Sequence, residues 1–169
     1  HPLRELTAKL LQSDFSKTAT TELIATLNHP DQRIRLKAQF ELVKRGARKE
    51  LWAAARSGPK LLRIHAIWGL CQYDRITKSP KRDILELLDD PDPEIRSQVA
   101  RSFGEILPSK LALHQAPNPG GTSFDFHELA KCLKDNSPRV RSHAAIALGN
   151  LGALGSSKAI IEMARNIPD

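Results

Sequence analysis

The sequence is poor in aromatic side chains. Phe, Trp and Tyr make up 5% of its 169 residues, too few to build an interior from stacked rings. An interior must come from aliphatic and small side chains instead, and the abundant Leu, Ala and Ile suit packed helices. No apolar run approaches about 18 residues, which excludes a membrane-spanning helix. Cysteine occurs twice, as Cys71 and Cys132, far apart and in no metal-ligand spacing. Both read as buried free thiols, with a disulfide between neighbouring segments as the alternative. No Ser/His/Asp arrangement, glycine-rich phosphate loop or pair of catalytic carboxylates stands out, so no catalytic residue and no cofactor are assigned. No signal peptide is present. The chain begins His1-Pro2 without Met, which reads as a piece excised from a longer protein, so the missing signal leaves the compartment open.

Acidic charge is scarce in one place only. The net charge is +7, and its excess is local. Residues 33–63 hold 10 basic and 2 acidic side chains, while residues 1–32 hold 3 and 4, and residues 64–169 hold 13 of each. A basic segment can steer an anionic partner. The alternative is a solvated helix face.

What the sequence does have is repetition. Aligning Ile34, Leu62, Ile95 and Val140 puts Arg35, Arg63, Arg96 and Arg141 in one column. Ala38, Ala66, Val99 and Ala144 form a second column, and Leu42, Leu70, Phe103 and Leu148 a third. Upstream, Leu23, Leu51, Ile84 and Leu129 align as the core of a preceding helix. Each unit is therefore a first helix, a joint and a second helix. The expected pairs are 18–28 with 32–45, 47–57 with 60–72, 80–89 with 93–106, and 125–134 with 138–151. Residues 1–17 carry a capping helix (Leu3–Gln12), 18–107 hold units one to three, and 125–169 hold unit four and a truncated fifth. Between them lies an inserted loop, 108–124, rich in Pro and Gly. It is either a tolerated insertion or a functional loop. The whole of 1–169 reads as one domain.

The joints have a mechanism. Asp31, Asp92 and Ser137 are N-cap residues, whose side-chain oxygens accept orphan N–H groups. Pro93 and Pro138 follow at the first helical position, where the missing N–H is harmless. The second unit uses Ser57-Gly58-Pro59 instead. The second helix of unit one is apolar on two sides, Ile34/Ala38/Leu42 and Leu36/Phe40/Val43, as expected of a helix covered by neighbours on both. Trp68 shares the Phe40 column and reads as buried between units.

The Asp-Pro-Asp-Pro-Glu-Ile-Arg joint (90–96) and the run Ser-Pro-Arg-Val-Arg-Ser-His-Ala-Ala-Ile-Ala-Leu-Gly (137–149) resemble the HEAT repeat family. The resemblance implies an all-α fold, a right-handed α-α superhelix (HEAT/armadillo-like solenoid) of four to five helix pairs. It also implies a ladder in which a joint acid and an arginine six residues later connect repeats, here Asp90 with Arg96 and Asp135 with Arg141. His29 stands where unit one should have its acid, which puts that rung in question. More narrowly, residues 29–42 and 62–70 are similar to the HEAT segment of large exported planctomycete-type proteins. Those chains join a sugar-dehydrogenase-like propeller, HEAT repeats and a c-type haem domain. That resemblance implies an exported fragment lying between redox modules, although no Cys-x-x-Cys-His occurs here.

The remaining candidates lie on the second helices. Positions equivalent to Arg33, Lys37 and Lys44 are expected to face a groove. Along the array they read Leu61, His65 and Gln72, then Glu94, Gln98 and Glu105, then Arg139, His143 and Asn150. The strip runs basic, neutral, acidic and weakly basic, whereas a nucleic-acid groove stays basic. His65 and His143 are two units apart, at about 10 Å per unit, too far for one metal ion. His29, His114 and His127 show no metal spacing. The function expected is a non-catalytic protein-interaction or spacer module. Its partner would be another protein or another domain of the same chain, met through Arg33, Lys37, Lys44, His65, Gln98 and His143. The alternative is a HEAT-like nucleic-acid protein or DNA glycosylase using the basic 33–63 segment. A HEAT-like bilin lyase is a third reading with no specific residue behind it.

Overall fold

The computed structural model describes residues 2–79, 81–106, 122–150 and 161. The stretch 107–121, which holds most of the expected loop, and the expected fifth unit apart from Ile161 lie outside the described residues. Among the described residues every regular element is helical. The chain divides into two compact units, residues 1–78 and 79–169.

The first unit begins with α1 (Pro2–Gln12) and a 3-10 turn at Phe15–Lys17. Two helix pairs follow. These are α2 (Thr20–Thr26) with α3 (Gln32–Lys44), and α4 (Arg48–Arg56) with α5 (Lys60–Thr77). α2 is shorter than its sequence pattern suggested, because the N–H groups of Leu27, Asn28 and His29 turn to carbonyls three residues back, at 3.0–3.1 Å. This tightening is how a helix end satisfies its last carbonyls. α5 is longer than expected. Nothing breaks it before Lys78, which takes the left-handed conformation at φ +52°. The extra turn carries Asp74, buried against Arg48 of α4 at 2.9 Å. Gly58, at φ +119°, makes the sharp stop between α4 and α5 in a region that side chains avoid.

The second unit has a 3-10 helix at Asp83–Asp89 followed by α6 (Pro93–Ile106). Then come α7 (Thr122–Lys131), a 3-10 turn at Cys132–Lys134 and α8 (Pro138–Asn150). An α-helix was expected over 80–89. The buried residues there are Ile84, Leu85, Leu87 and Leu88. They repeat at a spacing of three, which is the period of a 3-10 helix. α7 starts at Thr122, as soon as the run of breakers ends at Gly121.

The four columns of the repeat are the core. Ile34, Ile95 and Val140 are buried, as are all four residues of the Ala38, Leu42 and Leu23 columns, and Leu62 is half-buried. In each unit the second helices of successive pairs pack on one another, α3 on α5 and α6 on α8. One expectation fails here. Phe40 is 51% exposed and Trp68 only half-buried. The second apolar side of α3 is therefore covered only in part: Val43 is buried and Leu36 half-buried, while Phe40 stands out. Cys71 and Cys132 are both buried and neither forms a disulfide.

The contact between α6 and α8 rests on a glycine. A Cβ built on Gly104 would lie 2.5 Å from both the Cα and the Cβ of Ala147. The backbones meet too closely there for any side chain. Gly104→Ala should therefore destabilise the chain by about 1–3 kcal/mol, as overpacking does. Gly149→Ala, where nothing described lies within 4 Å, should be neutral or stabilising by up to about 1 kcal/mol. Urea unfolding of the two variants checks both.

Candidate functional site

The column arginines close their own joints. Arg35 Nη1 donates to the carbonyls of His29 (2.6 Å) and Pro30 (2.8 Å). Arg96 Nη1 does the same to Asp90 (2.7 Å) and Pro91 (3.2 Å), and Arg141 Nη1 to Asp135 (2.8 Å) and Asn136 (3.2 Å). The carbonyls lie six and five residues back each time. Arg63, after the Gly58 stop, donates to Ala55 instead, at 2.9 Å.

The other edge of the guanidinium reaches forward. Arg96 grips the Asp135 carboxylate with Nε (2.7 Å) and Nη2 (2.9 Å). This corrects the expected pairing. Arg96 meets Asp90, and Arg141 meets Asp135, through the acid's backbone carbonyl, and the carboxylate on Arg96 belongs to the next repeat. The joint acids use their carboxylates locally as well. Asp90 accepts the N–H of Asp92 (2.9 Å) and Asp135 that of Ser137 (2.8 Å). His29 fills the same local role with Nδ1, accepting the N–H of Asp31 at 3.0 Å. The Arg96 guanidinium holds the Asp135 carboxyl below its usual range.

Unit one makes its forward contact with a histidine. Arg35 Nε donates to His65 Nε2 at 2.8 Å. The proton of the ring must then sit on Nδ1, which donates to Gln39 Oε1 at 2.9 Å. Gln39 Nε2 donates in turn to Gln72 Oε1 at 3.1 Å. His65 is 1% exposed. Burial, with the Arg35 charge second, lowers its pKa to about 4, so it is neutral at ordinary pH. His65 was expected to face a partner. It lies instead between α3 and α5, with Trp68 edge-on at 4.8 Å.

Three more of the expected contacts are likewise drawn into the fold. Gln98 is buried and donates to Glu94 at 2.7 Å. His143 is half-buried, its Nδ1 lying 2.7 Å from the hydroxyl of the buried Ser97 on α6. Lys37 donates to the carbonyls of Leu11 (2.7 Å) and Ser13 (2.5 Å) and sits 4.7 Å over the Phe15 ring. The reason is common to Lys37, His65 and His143. Their column faces the preceding element, so packing takes it before a partner can. Arg33 and Lys44 are exposed, and Arg33 pairs with Asp31 at 2.7 Å.

The same accounting covers the basic segment. Arg45 pairs with Glu41 (2.8 Å) and holds the carbonyls of Phe15, Ser16 and Thr18 at 2.7–2.9 Å. Arg48 pairs with the buried Asp74, and Arg56 lies 5.6 Å over the Trp52 ring. Lys44 and Lys49 stay exposed with no ion pair among the described residues.

What the second helices leave open was not among the expected contacts. Phe40, Leu61 and Ile146 are large, apolar and 42–57% exposed. Phe40 and Lys44 rim a cleft of about 380 Å³ in the first unit, between α3 and the Ser13–Ser16 turn. The signal was in the sequence. Residues 33, 37, 40 and 44 lie on one helical stripe, and Phe40 interrupts its charges. Among the described residues no group of three or more His, Cys, Asp and Glu is placed to hold a metal ion. The Cys132 thiol is pushed up to about 11, chiefly by burial, which keeps it protonated and unreactive.

Arg96→Ala should cost about 1–3 kcal/mol, and Asp135→Ala a similar amount, with the double variant far from additive; a denaturation cycle measures this. His65 binds its proton near 6.5 when unfolded and near 4 when folded. Its contribution is therefore complete above pH 6.5 and is withdrawn as pH falls toward 4, by up to about 3 kcal/mol. His65→Leu should flatten the stability profile across that window. It should also lower stability at pH 7 by about 1–3 kcal/mol, because Arg35 Nε loses its acceptor.

No curated protein matches the chain. The family model for the HEAT repeat matches residues 83–109 and 126–154. Those stretches take in the Asp83–Asp89 helix with α6, and the latter part of α7 with α8, joined by the Arg96–Asp135 contact.

Proposed function

We propose that the chain is a non-catalytic module that binds protein through the outward side of its second helices. The observation that carries this is the division of labour among side chains. His65, His143, Arg35, Arg48, Arg96, Asp74 and Asp135, groups suited to chemistry or to phosphate binding, are hydrogen-bonded into joints and helix contacts. In the first unit the second helices leave Phe40 and Leu61 exposed beside Arg33 and Lys44, the make-up of a recognition surface. The two HEAT repeat matches favour the same reading, since such repeats generally mediate protein–protein interaction. A spacer between redox domains of an exported protein is a narrower version that rests on the sequence resemblance alone.

A nucleic-acid role makes a different demand, several phosphates neutralised at once. Titrating the intact chain with duplex DNA at low and at physiological salt separates the two. Weak binding, with no sub-micromolar phase at either salt, is expected. Sub-micromolar affinity that falls steeply with salt would overturn the protein-binding reading.

A further inference from the structure

We infer that the cleft between α3 and the Ser13–Ser16 turn docks an acidic protein segment that presents one large apolar side chain. The inference rests on the protein-binding reading above and names its partner. The walls are firm. Lys37 ties the turn to α3 from one side through the carbonyls of Leu11 and Ser13. Arg45 ties it from the other through those of Phe15, Ser16 and Thr18. A cleft held open in this way asks little ordering of its ligand site, which favours affinity.

Its rim supplies two kinds of contact. The Phe40 ring, 51% exposed, offers an apolar face. Lys44 beside it makes no ion pair among the described residues and is the spare charge of the site. The acids that also line the cleft keep their charge but face cations: Glu41 is paired with Arg45 at 2.8 Å, and Asp14, which accepts the N–H of Ser16 at 3.0 Å, feels Lys17 and Lys37. The wider field points the same way. Residues 1–78 carry 15 basic and 7 acidic side chains, a net of +8, whereas residues 79–169 carry 11 and 12. Such a field steers acidic partners and repels basic ones. A nucleic acid would find one available ammonium at the rim where it needs a row of them.

The probe is a library of short random peptides displayed on phage and panned against the intact chain. Enriched peptides should be net acidic and carry a Phe, Trp, Leu or Ile. Their affinity should fall about tenfold or more with Phe40→Ala and severalfold with Lys44→Glu. Both side chains are exposed, so the variants should melt where the parent does, which separates lost binding from lost folding. If enriched peptides bind equally well to Phe40→Ala, or are not acidic, the cleft is not their site, while the protein-binding reading survives. If no peptide is enriched and duplex DNA binds tightly instead, both fail.

Discussion

A guanidinium placed one residue after the first apolar column position of each second helix governs how these repeats are built. A helix–joint–helix unit leaves carbonyls at the end of its first helix without partners, and burying them unpaired is costly. Arginine has five donors in a flat fork. One edge satisfies two carbonyls of its own joint, and the other reaches the next repeat. The internal shape of a repeat and its packing on the next thus depend on one side chain. Lysine, a single point of charge, cannot serve both edges. Such a pair need not be more stable than an apolar substitute, but removing one member leaves the other buried and unpaired.

The partner on the forward edge differs between the two units, and the difference follows from the joints. Where the next joint supplies an acid, Arg96 meets Asp135. The joint that follows Arg35 in the chain is Ser57-Gly58-Pro59, which has no acid. A buried neutral histidine accepts in its place, and two glutamines carry the polar chain onward to Gln72. The second arrangement buries a cation beside a titratable ring. It is sound only while that ring stays neutral, so this unit is sensitive to acid in a range where the Arg96–Asp135 pair is not.

Much of this was legible in the sequence, because core columns repeat and joints have capping chemistry. Ile34, Ile95, Val140 and their companions are buried as the alignment requires, and Asp31 and Asp92 accept the N–H groups of Arg33 and Glu94. Three things were not legible, for separate reasons. The 3-10 form of Asp83–Asp89 depends on a three-residue burial period too short to tell from an α-helix. Gly104 gives no sign of the Ala147 backbone against it until both helices are in place. The expected groove mixed positions of different fate. Arg33, Lys37 and Lys44 share a stripe, but a stripe has a width, and the neighbouring element covers the middle of it. Lys37, His65 and His143 were drawn inward, while Phe40, assigned to the core, stayed out.

The basic segment shows why net charge is a poor guide to a polyanion site in a repeat protein. Its cations are dominated by arginines that hold carbonyls, carboxylates or a ring. Each of these guanidiniums is committed to geometry before any partner arrives. A phosphate competing for Arg35, Arg45, Arg48 or Arg63 would have to break the joint or the helix contact it maintains. The positive potential survives this commitment, because a hydrogen-bonded guanidinium is still charged, so an acidic partner is still attracted from a distance. Contact is another matter. At the surface of α3 the groups available for it are one ring and one ammonium, so affinity must come mainly from shape and apolar burial, with charge setting the rate of encounter. Raising the salt should then slow association more than it hastens dissociation.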